Sequence, residues 1–196
     1  LLALELPELP ARAREETCER VLRLLRPYLF QPGPLLAFFH KSLGLSVRRR
    51  QLGAPQERRR THGRIAAFFA EQPDASPEGV PNERKAFELP WQLLCAARAS
   101  EPGAQEWSRL ARILTDIRFL ESKCRARLLP DLQEDYRAAL VHWPGHLNYD
   151  PLEPSCAGAP PRTIGASDAL RVEAFAAFVS THAHWLAACP DETIPL

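Results

Sequence analysis

The chain has 196 residues, enough to bury one good core or two small ones. Hydrophobic residues make up 45% and charged residues 25%, with 25 Lys and Arg against 24 Asp and Glu, which excludes an intrinsically disordered chain. The formal net charge of +1 excludes a global field that would draw in nucleic acid or an anionic membrane, and no apolar run approaches the roughly 20 residues needed to cross a bilayer.

In chain order, residues 15–26 place Cys18, Val21, Leu22 and Leu25 at helical spacing, predicting an amphipathic helix that Pro27 stops. Tyr28-Leu29-Phe30 and residues 35–39, with Phe38 and Phe39 at the end, flank Gln31-Pro32-Gly33-Pro34 and predict two short strands across a turn. A helix followed by such a hairpin is the back half of a winged helix. Residues 40–52 return to a helical pattern, with Leu43 and Val47 apolar and Arg48, Arg49 and Arg50 exposed, until Gly53-Ala54-Pro55 breaks it.

Residues 56–72 carry Ile65, Phe68 and Phe69 on one face behind Arg58, Arg59 and Arg60. After a proline-rich loop at 73–81, Phe87, Leu89, Trp91, Leu93, Leu94 and Ala97 predict a strongly apolar helix, with Pro90 near its first turn or kinking it. Trp107, Leu110, Leu114, Ile117, Leu120, Cys124 and Leu128 follow at steps of three or four and predict one long helix buried along a stripe, with Phe119 beside it. The Trp91 and Trp107 helices could pair as a hairpin. Beyond Pro130, Asp131 and Glu134 suggest a capping box that opens a helix through Leu132, Tyr136 and Leu140. Residues 143–165 hold five prolines and three glycines without a period and read as a crossover. A last helix, from about Ser167 to Cys189, carries Leu170, Phe175, Phe178, His182, Trp185 and Cys189, with His182 a hydrogen-bonded core residue.

Amphipathic helices of this kind must pack on one another. The expected fold is mainly α: an irregular helical bundle or short superhelical stack over residues 55–196, preceded by a partial winged helix with one small β-hairpin over residues 1–52. The expected core includes Phe38, Phe39, Phe68, Phe69, Leu89, Trp91, Leu94, Leu114, Phe119, Leu120, Tyr136, Phe178 and Trp185.

Chemistry is harder to find. No glycine-rich turn ends in the Gly-Lys-Ser/Thr of a phosphate cradle, so no nucleotide is expected on this stretch. His142 with His146, or His182 with His184, joined by Cys156 or Cys189, matches neither zinc-enzyme nor zinc-finger spacing, and no metal is expected. No nucleophile elbow is present, and Asp131, Glu134 and Asp135 lie where capping and solvation explain them. The odd number of cysteines, five and widely spaced, reads as thiols in a reducing cytoplasm, and the absence of Met reads as a piece of a longer polypeptide. The two arginine triplets, Arg48–Arg50 and Arg58–Arg60, are the candidate interaction residues. A solvated face or docking within the same protein is the favoured reading for them. A winged helix binding DNA phosphates is the sharpest alternative.

A set of words in fixed order carries a family resemblance: LAFFHKS at 36–42, RRRTHGRIAAFF at 58–69, ELPWQLL at 88–94, LTDIRFLESK at 114–123 and DYRAAL at 135–140. Together they resemble the region after the nucleotide-binding module of STAND NTPases of the NACHT or NB-ARC type. These are relatives of apoptotic protease-activating factor, including members with WD-repeat propellers. The resemblance implies the end of a winged-helix domain up to about Leu52, then a helical domain before a C-terminal sensor. It implies ATP or ADP bound upstream, none on this stretch, with the nucleotide-binding domain and sensor as intramolecular partners. Oligomerisation of the parent, a cytoplasmic location and no membrane contact belong to the same picture, and nucleic acid is not an expected partner. The function implied is non-catalytic coupling of nucleotide state to the sensor. A stand-alone helical adaptor and a winged-helix DNA binder are the alternatives.

Overall fold

The computed structural model describes residues 10–30, 37–38, 41–100, 105–145 and 166–188, and the chain is mainly helical. Its contacts divide it into two units, Leu1–Glu57 and Arg58–Leu196.

In the first unit, α1 (Ala11–Leu25) starts behind Pro10, four residues before the expected Glu15, because Ala11, Arg12 and Ala13 are all good helix formers. Pro27 turns its end into a short 3-10 segment, Arg26–Tyr28. Strands β1 (Leu29–Phe30) and β2 (Ala37–Phe38) pair antiparallel, Leu29 opposite Phe38 and Phe30 opposite Ala37. Residues 35, 36 and 39 of the expected hairpin lie outside the described residues. Helix α2 (Lys41–Gln51) follows and touches β2. It stops at Gly53, where a Cβ would stand 2.5 Å from the Arg49 carbonyl oxygen, so glycine is needed for the chain to leave the helix. Among the residues from 10 to 57 whose side chains are described, none is buried.

Helix α3 (Pro55–Ala70) opens on a proline, whose ring sets the first helical φ, and enters the second unit. There α4 (Glu83–Arg98), α5 (Gln105–Leu114), α6 (Ile117–Arg125), α7 (Leu129–His142), α8 (Ala166–Thr181) and α9 (Ala183–Ala188) follow. Helix α4 packs along α5 as the expected hairpin and also meets α6 and α7. Helix α8 lies against α5 and α7, and α9 closes on α7 and α8. Leu89, Leu93, Leu110, Leu114, Leu120, Leu132, Leu140, Val172, Val179 and Leu186 fill the space between them, and Ala97, Ala111 and Ala139 let the backbones approach. Asn82 caps α4, its side-chain oxygen accepting from the Lys85 amide at 3.0 Å. Pro90 lies well inside α4, buried on its core side, rather than in the first turn.

Three expectations are corrected. The apolar stripe from Trp107 to Leu128 is two helices, because Asp116 accepts from the Arg118 amide at 2.9 Å and starts a new one. The Thr115 hydroxyl donates back to the Ala111 carbonyl at 2.9 Å, and Ile117 is left exposed by the break. The Asp131–Glu134 capping box is absent: α7 starts at Leu129, so Asp131 lies inside its first turn, and Pro130 fills a position whose amide would have no partner. The last helix is interrupted at His182, which is exposed and meets the Phe178 ring at a tilt of 47°, centroids 4.9 Å apart, instead of serving the core.

Candidate functional site

Lys123 of α6 is fully buried at 0% exposure. Its ammonium donates to the Asp135 carboxylate of α7 and stands 5.9 Å from the centre of the Phe119 ring. Burial pushes the Asp135 carboxyl up to about 6; Lys123 pulls the other way, and Asp131 and Glu134 add to the rise. Next to this pair, burial raises the Cys124 thiol to about 11, with Glu121 adding to it. Burial also raises the Tyr136 hydroxyl, which donates to the Leu114 carbonyl at 2.6 Å and so satisfies the open end of α5. A thiol held protonated under a packed helix is no nucleophile.

A second polar knot ties down the loop 71–82. Lys85 of α4, itself buried, donates to the Gln72 carbonyl at 2.5 Å and pairs with Asp74 at 2.8 Å, while the Ser122 hydroxyl of α6 donates to the Asp74 carbonyl at 3.2 Å. A third joins α3 to its neighbours. His62 Nδ1 donates to Gln92 Oε1 at 2.7 Å, and Gln92 Nε2 donates to Glu88 at 2.9 Å. Arg59 donates to Glu106 at 2.8 Å. Burial works to raise the Glu106 carboxyl, but Arg59 and the residue's own amide outweigh it and hold it below the ordinary value. Among the described residues Glu106 Oε2 and Trp107 Nε1 are buried without a hydrogen-bond partner, the indole lying 5.0 Å from the Trp143 ring.

The arginine triplets divide. Arg48, Arg49 and Arg50 are exposed on the last turn of α2, and Arg58 and Arg60 are exposed on α3, all five without an ion pair among the described residues, whereas Arg59 is spent on Glu106. Of the expected core, Phe69, Leu89, Leu94, Leu114, Phe119, Leu120 and Tyr136 are buried and Trp185 is partly buried. The side chains of Phe38 and Phe39 lie outside the described residues. Phe68, Trp91 and Phe178 are 45%, 48% and 41% exposed. Each sits beside a core position rather than on it: Phe68 meets Phe69 edge-on at 5.3 Å, Trp91 shares an outer stripe of α4 with Phe87, and Phe178 lies next to buried Val179.

Sequence reasoning missed Lys85, Gln92 and Lys123. The signal for Lys123 was present, since it stands one turn after Leu120 and next to Cys124 inside an apolar stripe, where a lysine needs a counter-charge. Among the described residues no group of three His, Cys, Asp or Glu could hold a metal ion, and no helix is long and apolar enough to cross a membrane. His142 and His184 are exposed; His146, Cys156 and Cys189 lie outside the described residues. No family model, curated protein or solved structure matches the chain.

Proposed function

We propose that the chain is a non-catalytic helical coupling module of a STAND-type signalling ATPase, relaying the nucleotide state of an upstream domain to a downstream sensor in the cytoplasm. The observation that carries this reading is where the buried charge goes. Lys85, Gln92, Ser122, Lys123 and Asp135 each place a polar atom on another segment of the helical unit, Gln92 through its oxygen on His62. A body cross-linked this way moves as a whole, which is what transmission of a domain rotation requires. The β1–β2 pair after α1 supports the winged-helix part of the reading. ATP or ADP would be bound by residues upstream of this stretch. Mapping the transcript around the coding segment tests the proposal: an upstream in-frame GxxxxGK followed by Ser or Thr is expected, and a complete reading frame of this length alone would sink it.

A helical adaptor is the second reading, favoured by one face of α4. Arg84, Phe87, Trp91 and Arg98 recur there at steps of three, four and seven, all exposed, and Trp and Arg are the side chains that most often anchor protein interfaces. Light scattering after size exclusion separates the two. An adaptor stays monodisperse, whereas an excised arm self-associates as concentration rises.

A further inference from the structure

Charge in this chain is segregated. Residues 41–64 hold eight Lys and Arg against a single acid, Glu57, whereas the remaining residues hold 17 basic and 23 acidic side chains. The helix α2 is the extreme case, with Lys41, Arg48, Arg49 and Arg50 and no carboxylate. All four cations are exposed, and none has an ion pair among the described residues.

Internal needs do not explain this. A helix C-terminus favours cations, and Arg48, Arg49 and Arg50 stand in the last turn of α2, but that field does not call for three in a row and disfavours Lys41 in the first turn. A solvated helix face normally sets an acid one turn before an arginine, and here Gly44, Leu45 and Ser46 occupy those places. Successive helical residues lie about 100° apart, so Arg48, Arg49 and Arg50 fan over about 200°, with Lys41 two turns back on the Arg48 side. Ser42, Leu45 and Ser46 are exposed within the same sector.

From this fan we infer that α2 binds the phosphate backbone of duplex DNA, lying in the major groove with cations directed to both walls. A membrane offers a flat plane of charge, which cations fanned over about 200° of a helix cannot all meet at once. The major groove of B-form DNA, about 12 Å wide, admits a helix and presents phosphates on both sides. The major groove of A-form RNA is too deep and narrow for that fit. Guanidinium groups match phosphate oxygens in pairs, and the serine hydroxyls add donors between them. The inference is independent of the coupling role, since it rests on α2 alone.

Fluorescence anisotropy of the full chain with a 20-base-pair DNA duplex tests it. Four phosphate contacts predict an affinity that falls about 100-fold between 50 and 200 mM salt. Replacing Lys41, Arg48, Arg49 and Arg50 together by Gln should abolish that salt dependence. Arg48→Lys, Arg49→Lys and Arg50→Lys together should keep it, because the charge is retained. Exchanging the exposed Arg112 and Arg118 for Gln should leave it unchanged, with circular dichroism verifying the helices in each variant. No binding at 50 mM salt, binding retained by the quadruple Gln variant, equal or tighter binding of an RNA duplex, or displacement of the DNA by an equal charge of polyglutamate would each overturn the inference.

Discussion

Lys123 and Asp135 form the pair on which single-residue changes should tell most. In Lys123→Met the carboxylate stays largely buried without its counter-charge, an arrangement that costs up to about 3–5 kcal/mol in fully buried pairs. Urea unfolding at pH 8 should show a loss of that size, and part of it should return at pH 5, where Asp135 takes up a proton. Replacing both partners by apolar residues of similar volume should restore most of the stability, because neither charge is then left alone. In the unaltered chain the sign is fixed by the raised carboxyl. Between its ordinary 3.8 and about 6 the folded form holds a proton that the unfolded form has lost. The contribution of Asp135 to stability is therefore greatest below this window and declines as pH rises through it. Arg127 offers a test of opposite sign. It closes α6 at φ 59°, with its own amide donating to the Cys124 carbonyl and the Leu128 amide reaching the Lys123 carbonyl, the bonding of a C-terminal cap that glycine serves best. Arg127→Gly should raise stability by about 1 kcal/mol in thermal unfolding. The place of Lys123 inside an apolar stripe called for a counter-charge without saying which, whereas Arg127 had no signal at all, because a lone arginine acquires meaning only from what the fold sets before it.

At the level of elements, periodicity located most helices and misplaced their ends. The Trp107–Leu128 stripe continues in phase across Thr115 and Asp116, so hydrophobic spacing alone reads straight through a break that two polar side chains make. Asp116→Ala should therefore cost about 1 kcal/mol in chemical denaturation, with the loss confined to the stability of α6 and its contacts. The Asp131–Glu134 pattern failed for a related reason. Pro130 moved the start of α7 forward to Leu129, and a capping pattern one turn inside a helix has no open amides to serve. The paired helices α4 and α5 were legible because both carry wide apolar faces and the connection between them is short.

For the whole molecule, average composition hid what matters most. A net charge of +1 is the sum of a strongly basic window and an acidic remainder, so a chain that looks neutral carries a stretch of opposite character. The core is just as uneven, with every buried residue described lying beyond Glu57. Amide hydrogen exchange should follow that division: α1 and α2 are expected to exchange far faster than the Leu89, Leu110, Leu132 and Leu140 amides, and equal protection would contradict it. The burial of Cys124 then acquires a practical meaning. Its sulfur is closed off, and its proton is held until about pH 11. An alkylating reagent at neutral pH can reach it only in the moments when α6 comes away from its neighbours. Located by mass spectrometry, the rate at which Cys124 acquires label becomes a clock for that opening, and it should run faster in Lys123→Met and in Asp116→Ala than in the unaltered chain.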